Sequence, residues 1–212
     1  MIIKRKRCLV LLALVISFMV ATAVFAANKT QIKATKINIF RPETAMPKKK
    51  KRGFCWMHAV AITRPDAWRC MVGGEIRDPC FVLETKDAAV CGVDPTKEGK
   101  SGFLLKLSKP LPNEDQNANL PLVNAWIVQL EEGLVCTPYT GTMPIIKQND
   151  DDITAIQYGC ESAAAGSFVG LMHDSVVPGK IWRAKKVVYS LGRDQKAKIN
   201  KIQDVVIKEV WR

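Results

Sequence analysis

The pattern of apolar and polar positions divides the chain into three regimes. Cys8 to Val24 is an unbroken apolar run, preceded by Lys4, Arg5, Lys6 and Arg7 and closed by Val24-Phe25-Ala26. A basic start, an apolar middle and small residues at the end are the signature of a secretory signal, with cleavage expected after Ala26. A retained anchor is the alternative, since the run is near the lower limit of about 17 residues for a membrane span. Residues 27–52 show no apolar periodicity. From residue 53 onward, short runs rich in β-branched and aromatic residues alternate with Gly, Pro, Asn and Asp, which is the pattern of strands joined by turns.

Several segments of that third regime can be assigned individually. Arg64-Pro65-Asp66 carries a helix-start signature, and the spacing predicts a short helix from Pro65 to Met71 that ends at Gly73-Gly74. Cys80 to Leu83, Ala88 to Val93, Phe103 to Leu107, Ile153 to Cys160, Ile181 to Ser190 and Val205 to Trp211 read as strands. Glu161 to Gly170 fits either a short helix or a strand turning into a loop.

The best-defined hairpin flanks Glu131-Glu132-Gly133. With Gly133 in the left-handed position, Leu130 faces Leu134 and Val128 faces Cys136. Trp126, Val128, Leu130, Leu134 and Cys136 then share one apolar face. Eight or nine short strands with little helix predict a mainly β fold. The expectation is a single disulfide-stabilised β-sandwich or barrel-like domain with one or two short helices, spanning residues 53–212.

Without residues 1–26, six cysteines remain, at positions 55, 70, 80, 91, 136 and 160. An even number in an exported chain implies disulfides. Cys136 and Cys160 both fall on inward faces of their strands, so they are expected to pair. Local pairing then joins Cys55 to Cys70 and Cys80 to Cys91. Trp56, Trp68, Trp126, Trp182 and Trp211 could form a sugar platform, but at least three of them are expected in the core.

Charge refines the picture through its distribution. Residues 27–52 hold nine basic residues and one acidic, 53–179 hold nine and sixteen, and 180–212 hold ten and three. The densest run, Lys48-Lys49-Lys50-Lys51-Arg52, follows Pro42 and Pro47 and reads as an extended, solvated leader. Its functional reading is contact with an anionic surface, either an envelope polymer or a lipid surface, and no specific nucleic-acid partner is expected. A role in targeting to a host cell is the weaker alternative.

The motif search excludes more chemistry than it supports. Two histidines and no Cys-x-x-Cys argue against zinc, and Asn149 to Asp152 lacks the spacing of a calcium loop. Neither a metal nor a cofactor is expected. Gly99-Lys100-Ser101 lacks the first glycine of a phosphate loop, and Ser167 stands one residue short of a nucleophile elbow. The remaining catalytic candidates are His173 with Asp174, as base and orienting acid, and the carboxylates Asp66 and Asp78, as a glycosidase-like pair. They define an alternative, a secreted hydrolase, to the leading expectation of an exported, non-enzymatic binding domain.

Cys55-Trp56, the stretch Arg64-Pro65-Asp66-Ala67-Trp68-Arg69-Cys70 followed by Ile76-Arg77-Asp78-Pro79-Cys80-Phe81, and Trp126-x-x-Gln129-Leu130-x-x-Gly133-x-x-Cys136 form a longer pattern. Together with Tyr158-Gly159-Cys160, Ile181-Trp182 and Val210-Trp211, this pattern resembles an exported bacterial family, common in actinobacteria. The resemblance covers most of residues 53–212. It implies an exported, cysteine-bonded domain and carries no activity. The chain departs from that pattern at Met57-His58, where small polar residues are expected, so no shared catalytic role passes to His58.

Overall fold

The alternating segments fold into strands that close on themselves twice. The computed structural model describes residues 33–97, 101–112, 125–149, 152–161, 166–192 and 197–212. The signal segment, Gly99-Lys100 and most of the acidic run Asp150 to Asp152 lie outside the described residues. The chain divides into units of residues 1–33 and 34–212, and the fold described here is that of the second.

The first closed sheet is a five-stranded barrel. Strands β2 (Lys50–His58), β3 (Ala67–Val72), β4 (Glu75–Val82), β5 (Ala88–Cys91) and β6 (Phe103–Leu107) follow one another as antiparallel neighbours, and β6 returns to pair in parallel with β2. Its interior holds Trp68, Val72, Val82, Ala89, Phe103 and Leu105 around four half-cystines. Gly73 and Gly74, at φ 61° and 84°, make the β3–β4 turn, where a side chain would be strained.

The second closed sheet uses β7 (Ile127–Leu130), β8 (Val135–Pro138), β10 (Asp152–Cys160), β11 (Ser167–Met172), β12 (Trp182–Leu191) and β13 (Ala197–Trp211). These run in the order β13-β12-β11-β10-β8-β7, and the pairing of β13 with β7 closes the ring. Strand β1 (Lys36–Asn38) lies parallel to the end of β13, and β9 (Ile145–Asn149) forms a hairpin with β10. Val128, Leu130, Cys136, Tyr158, Leu171, Trp182 and Ile207 fill this interior. Tyr158, whose ring is almost wholly buried, donates its hydroxyl to the carbonyl of Ala125 at 2.6 Å.

A third apolar cluster joins the two barrels: Phe40, Ala59, Ile62, Ala67, Phe81, Trp126 and Ile127. Phe40, Phe81 and Trp126 meet with ring centroids 4.7 to 5.4 Å apart. Arg69, from β3, reaches across to the carbonyl of Thr140 beyond β8. A smaller satellite cluster, Ile146, Ile156, Val187 and Tyr189, lies beneath the β9–β10 hairpin.

The mainly β class and all three disulfides are as expected. Cys55–Cys70, Cys80–Cys91 and Cys136–Cys160 each join residues directly opposite one another on neighbouring strands. The hairpin register is also as expected: Val128 faces Cys136, the Leu130 amide donates to the Leu134 carbonyl at 2.9 Å, and Gly133 has φ 89°. Trp68, Trp126 and Trp182 are buried.

Three expectations need correction. The folded unit begins at Ala34 and not at residue 53, because Lys36–Asn38 finds hydrogen-bonding partners on the C-terminal strand and Lys50 to Arg52 find them on β6. Ala67–Val72 is a strand, since Trp68, Cys70 and Val72 alternate inward with period two, and the turn at Pro65-Asp66 serves only to enter it. The short helical content expected is met, among the described residues, by a 3-10 turn at Pro42–Ala45. Trp126 packs in the inter-barrel cluster and not with Val128 and Leu130, because it precedes β7 and its neighbours are Phe40 and Phe81.

Candidate anion-binding face

The basic run becomes a structural feature once Lys50–Arg52 are part of β2. Successive side chains of a strand point to opposite faces, so Lys50, Arg52 and Phe54 share the outer face while Cys55 turns into the barrel. Phe54 continues the row, and Trp56, at the bulge between Cys55 and Met57, brings its ring centroid to 6.3 Å from that of Phe54. Both rings are half-buried, and Lys50 and Arg52 are exposed.

Neighbouring residues extend the row sideways. In the parallel pairing with β6, Arg52 stands opposite Lys106, which is also exposed. Lys109, just beyond β6, places its ammonium 4.6 Å from the Phe54 ring centroid. Lys51 points the other way and lies 4.6 Å over the ring of Phe103. Lys48 and Lys49 lead into the strand, both exposed. Among the described residues, none of Lys48, Lys49, Lys50, Arg52 and Lys106 is paired with a carboxylate.

Two features hold this strand in place. The Gly53 carbonyl accepts hydrogen bonds from both the amide and the hydroxyl of Ser108, at 2.7 and 2.9 Å. A Cβ on Gly53 would stand 2.1 Å from the Met71 carbonyl oxygen, so glycine is what lets β3 approach. The cations therefore project from a strand tied on both sides, and binding to them would not require ordering a flexible tether.

The catalytic candidates are distributed differently. His173 and Asp174 lie on the turn after β11, with Nδ1 and Oδ2 2.9 Å apart and side chains 42 % and 83 % exposed. They border neither the clefts of about 740 and 360 Å³ that hold the two carboxylates Asp66 and Asp78 nor the cleft of about 780 Å³ on the second barrel. Asp66 borders a cleft of about 740 Å³, where Arg64 holds its carboxylate with Nε and Nη2.

Asp78 borders a different, smaller cleft of about 360 Å³ and is fully buried. Its carboxylate accepts the amides of Val60 and Ala61 at 3.1 and 3.3 Å and lies 3.5 Å from Nε of Arg69. Loss of hydration raises its pKa above the ordinary value, outweighing the two amides and the arginine. The two carboxylates thus occupy separate clefts and each has a structural task. No acid–base pair of the glycosidase type is assembled from them.

The sulfur atoms of Cys70, Cys80 and Cys91 lie within 4.8 Å of one another, but all three are in disulfides and so offer no thiolate to a metal. Ser167 opens strand β11 and is half-buried.

Sequence reasoning found Lys48 to Arg52 but treated them as a tether, and it missed Phe54, Trp56, Lys106 and Lys109 as their companions. The signal was present in the period-two spacing of Lys50, Arg52 and Phe54, which continues through the supposed boundary at residue 53, whereas Trp56 joins them at a bulge between Cys55 and Met57. The pairing with Lys106 depends on a parallel closure between β2 and β6 that has no local sequence signature.

Among the described residues no helix is long and apolar enough to cross a membrane. The three disulfides point to an oxidising, extracytoplasmic compartment. Comparison with protein-family models, with curated proteins and with solved structures finds no match to this chain.

Proposed function

We propose that the chain is an exported, non-enzymatic binding domain that engages an extended anionic polymer of the cell envelope along the outer face of β2. The observation that carries this reading is the row Lys50, Arg52, Phe54 and Trp56, widened by Lys106 and Lys109 and left without carboxylate partners among the described residues. Side chains on one face of a strand recur about every 6.6 Å, so the face offers a linear polyanion evenly spaced cations followed by two aromatic rings. The signal-like N-terminus, the resemblance to an exported bacterial family and the disulfides agree with an envelope partner.

The test is binding of long-chain polyphosphate, a linear polyanion without sugars or bases, over a range of salt concentration. If the five unpaired cations are engaged, log K falls with log salt with a slope of about −3.5 to −4.5, taking about −0.7 to −0.9 per neutralised charge. Replacing Arg52→Glu with Lys106→Glu should weaken binding at low salt by at least about tenfold and flatten the slope by about 1.4 to 1.8. The charge-matched variant Lys180→Glu with Lys201→Glu, on the second barrel, should have a much smaller effect. Equal losses in both double variants would show that only net charge matters, and the β2 face would no longer be the site.

A further inference from the structure

The second barrel carries a groove whose chemistry differs from that of the cationic face. It is a cleft of about 780 Å³ bordered among others by Tyr139, Ile145, Lys147, Phe168, Tyr189 and Leu191. It lies against the satellite cluster beneath the β9–β10 hairpin, outside the barrel interior. Phe168 is 42 % exposed, Ile145 61 % and Leu191 52 %, which leaves an apolar rim facing solvent.

The groove is built on firm elements. Phe168 and Tyr189 stand directly opposite each other on β11 and β12, and their rings stack with centroids 5.4 Å apart and planes inclined by 22°. A Cβ on Gly159 would lie 2.9 Å from the Tyr139 hydroxyl oxygen and 3.0 Å from its Cζ, so the Tyr139 ring rests on the β10 backbone. The size is within the usual range for small-molecule sites.

Polar supply decides which ligand fits. Tyr139 and Tyr189 border the groove with their rings packed on the β10 backbone and on Phe168, and burial with the neighbouring Tyr139 raises the Tyr189 pKa, so Tyr189 enters the groove as a neutral phenol. Among the described residues, Lys147 is the only charged side chain on the lining, and it is exposed with no carboxylate partner. A sugar would bring many hydroxyls into a groove with few free partners, and each one desolvated without a bond is costly. A ligand with a long apolar body and one anionic end matches both the lining and the lone cation.

We propose that this groove is a site for a single acyl chain bearing an anionic head, with the chain lying against Phe168, Tyr189, Ile145 and Leu191 and the head at Lys147. The site is independent of the β2 face and does not require the polyanion reading.

The test is calorimetric titration of the disulfide-bonded protein with dodecanoate, below its micelle concentration, and with the neutral dodecanol as a second probe. Saturable one-to-one binding of dodecanoate is expected. Phe168→Ser and Leu191→Ser should each weaken both probes by about tenfold, since each deletes exposed apolar surface from the groove. Lys147→Gln should weaken dodecanoate several-fold and leave dodecanol unchanged.

Melting curves matching the parent would show that the variants are folded, and two separate serine variants keep the test decisive if one of them is not. Absence of saturable dodecanoate binding, or binding indifferent to both serine variants, would overturn the proposal. So would saturable binding of a maltooligosaccharide lost in the same variants. Sedimentation showing a dimer that Phe168→Ser dissociates would assign the groove to a second copy instead and would equally overturn it.

Discussion

Arg64 offers the sharpest test of how the two barrels are held together. It sits in the β2–β3 connection, and its guanidinium is only 19 % exposed. Nε and Nη2 grip the Asp66 carboxylate, while Nη1 donates to the carbonyl of Phe40 at 3.0 Å and to that of Arg212 at 2.8 Å. Its Cζ also lies 4.8 Å from the centroid of Phe81. One side chain therefore ties the first barrel to the segment after β1 and to the end of β13.

The cost of Arg64→Ala follows from these contacts. The bond to the half-buried Phe40 carbonyl contributes about 1.5 kcal/mol and that to the more exposed Arg212 carbonyl about 0.5. Asp66 is 32 % exposed. Its pairing with Arg64 is therefore discounted for solvent screening to about 1 kcal/mol. The contact with Phe81 adds about 0.5–1 kcal/mol. The sum is a loss of about 3.5–4 kcal/mol, read from urea unfolding with an unchanged m-value.

Arg64→Lys keeps the charge but not the planar fork, and should recover only about 1–1.5 kcal/mol. Asp66→Ala alone should cost about 1 kcal/mol. If Arg64→Ala costs less than Asp66→Ala, or Arg64→Lys restores full stability, the carbonyl bonds to Phe40 and Arg212 contribute nothing and the reasoning fails.

Two further predictions concern pH and the disulfides. The Asp78 pKa is raised in the folded state by burial, so its contribution to stability is fully present below the ordinary value of 3.8 and is lost as pH rises through the folded value. Glu209 behaves oppositely. Burial alone would raise its pKa, but hydrogen bonds from Asn38 and Lys36, with the charges of Lys36 and Lys208, hold it below 4.5, so its contribution is present above that value and is lost as pH falls through the folded one. Unfolding free energy measured across the acid range should therefore gain at its upper end in Asp78→Asn and lose there in Glu209→Gln, and matching profiles for the two variants would contradict both assignments. Among paired Cys→Ala replacements, Cys136–Cys160, with a separation of 24 against 15 and 11, should cost the most, about 3.5 kcal/mol against about 3 for each of the others, by denaturant unfolding.

The elements legible in the sequence were those whose partners are near in the chain. The hairpin around Gly133 could be read because a turn residue and two flanking apolar alternations fix the register together. Each disulfide joins strands that face each other directly, and Cys136 and Cys160 were found from side-chain parity alone. What could not be read was set by distant partners. Lys36–Asn38 is a strand only because Glu209 to Trp211 lies beside it, 173 residues later. Pro65 to Met71 carries a helix-start signature that loses to the inward alternation of Trp68, Cys70 and Val72, whose burial in a barrel outweighs local propensity.

The same distinction explains why the candidate site was half visible. Five consecutive basic residues advertise charge but do not say whether the charge is tethered or mounted. As a solvated leader, Lys48 to Arg52 would bind polyanions through loose contacts, and each contact would incur the entropy of ordering the chain. On β2, Lys50 to Arg52 are held by the ladder to β6 and by the Ser108 bonds to Gly53, so for them that entropy is already spent in folding. The aromatic half of the row follows from the same mounting: Phe54 joins Arg52 on one face because the strand runs through residues 52 and 53 without interruption, and Trp56 reaches the Phe54 ring from the bulge that follows. A break there, such as Gly53→Pro, would remove a ladder hydrogen bond and separate the cations from the rings, although net charge would be unchanged. Affinity for polyphosphate in such a variant, compared with its retained net charge, therefore separates a built face from a basic tail.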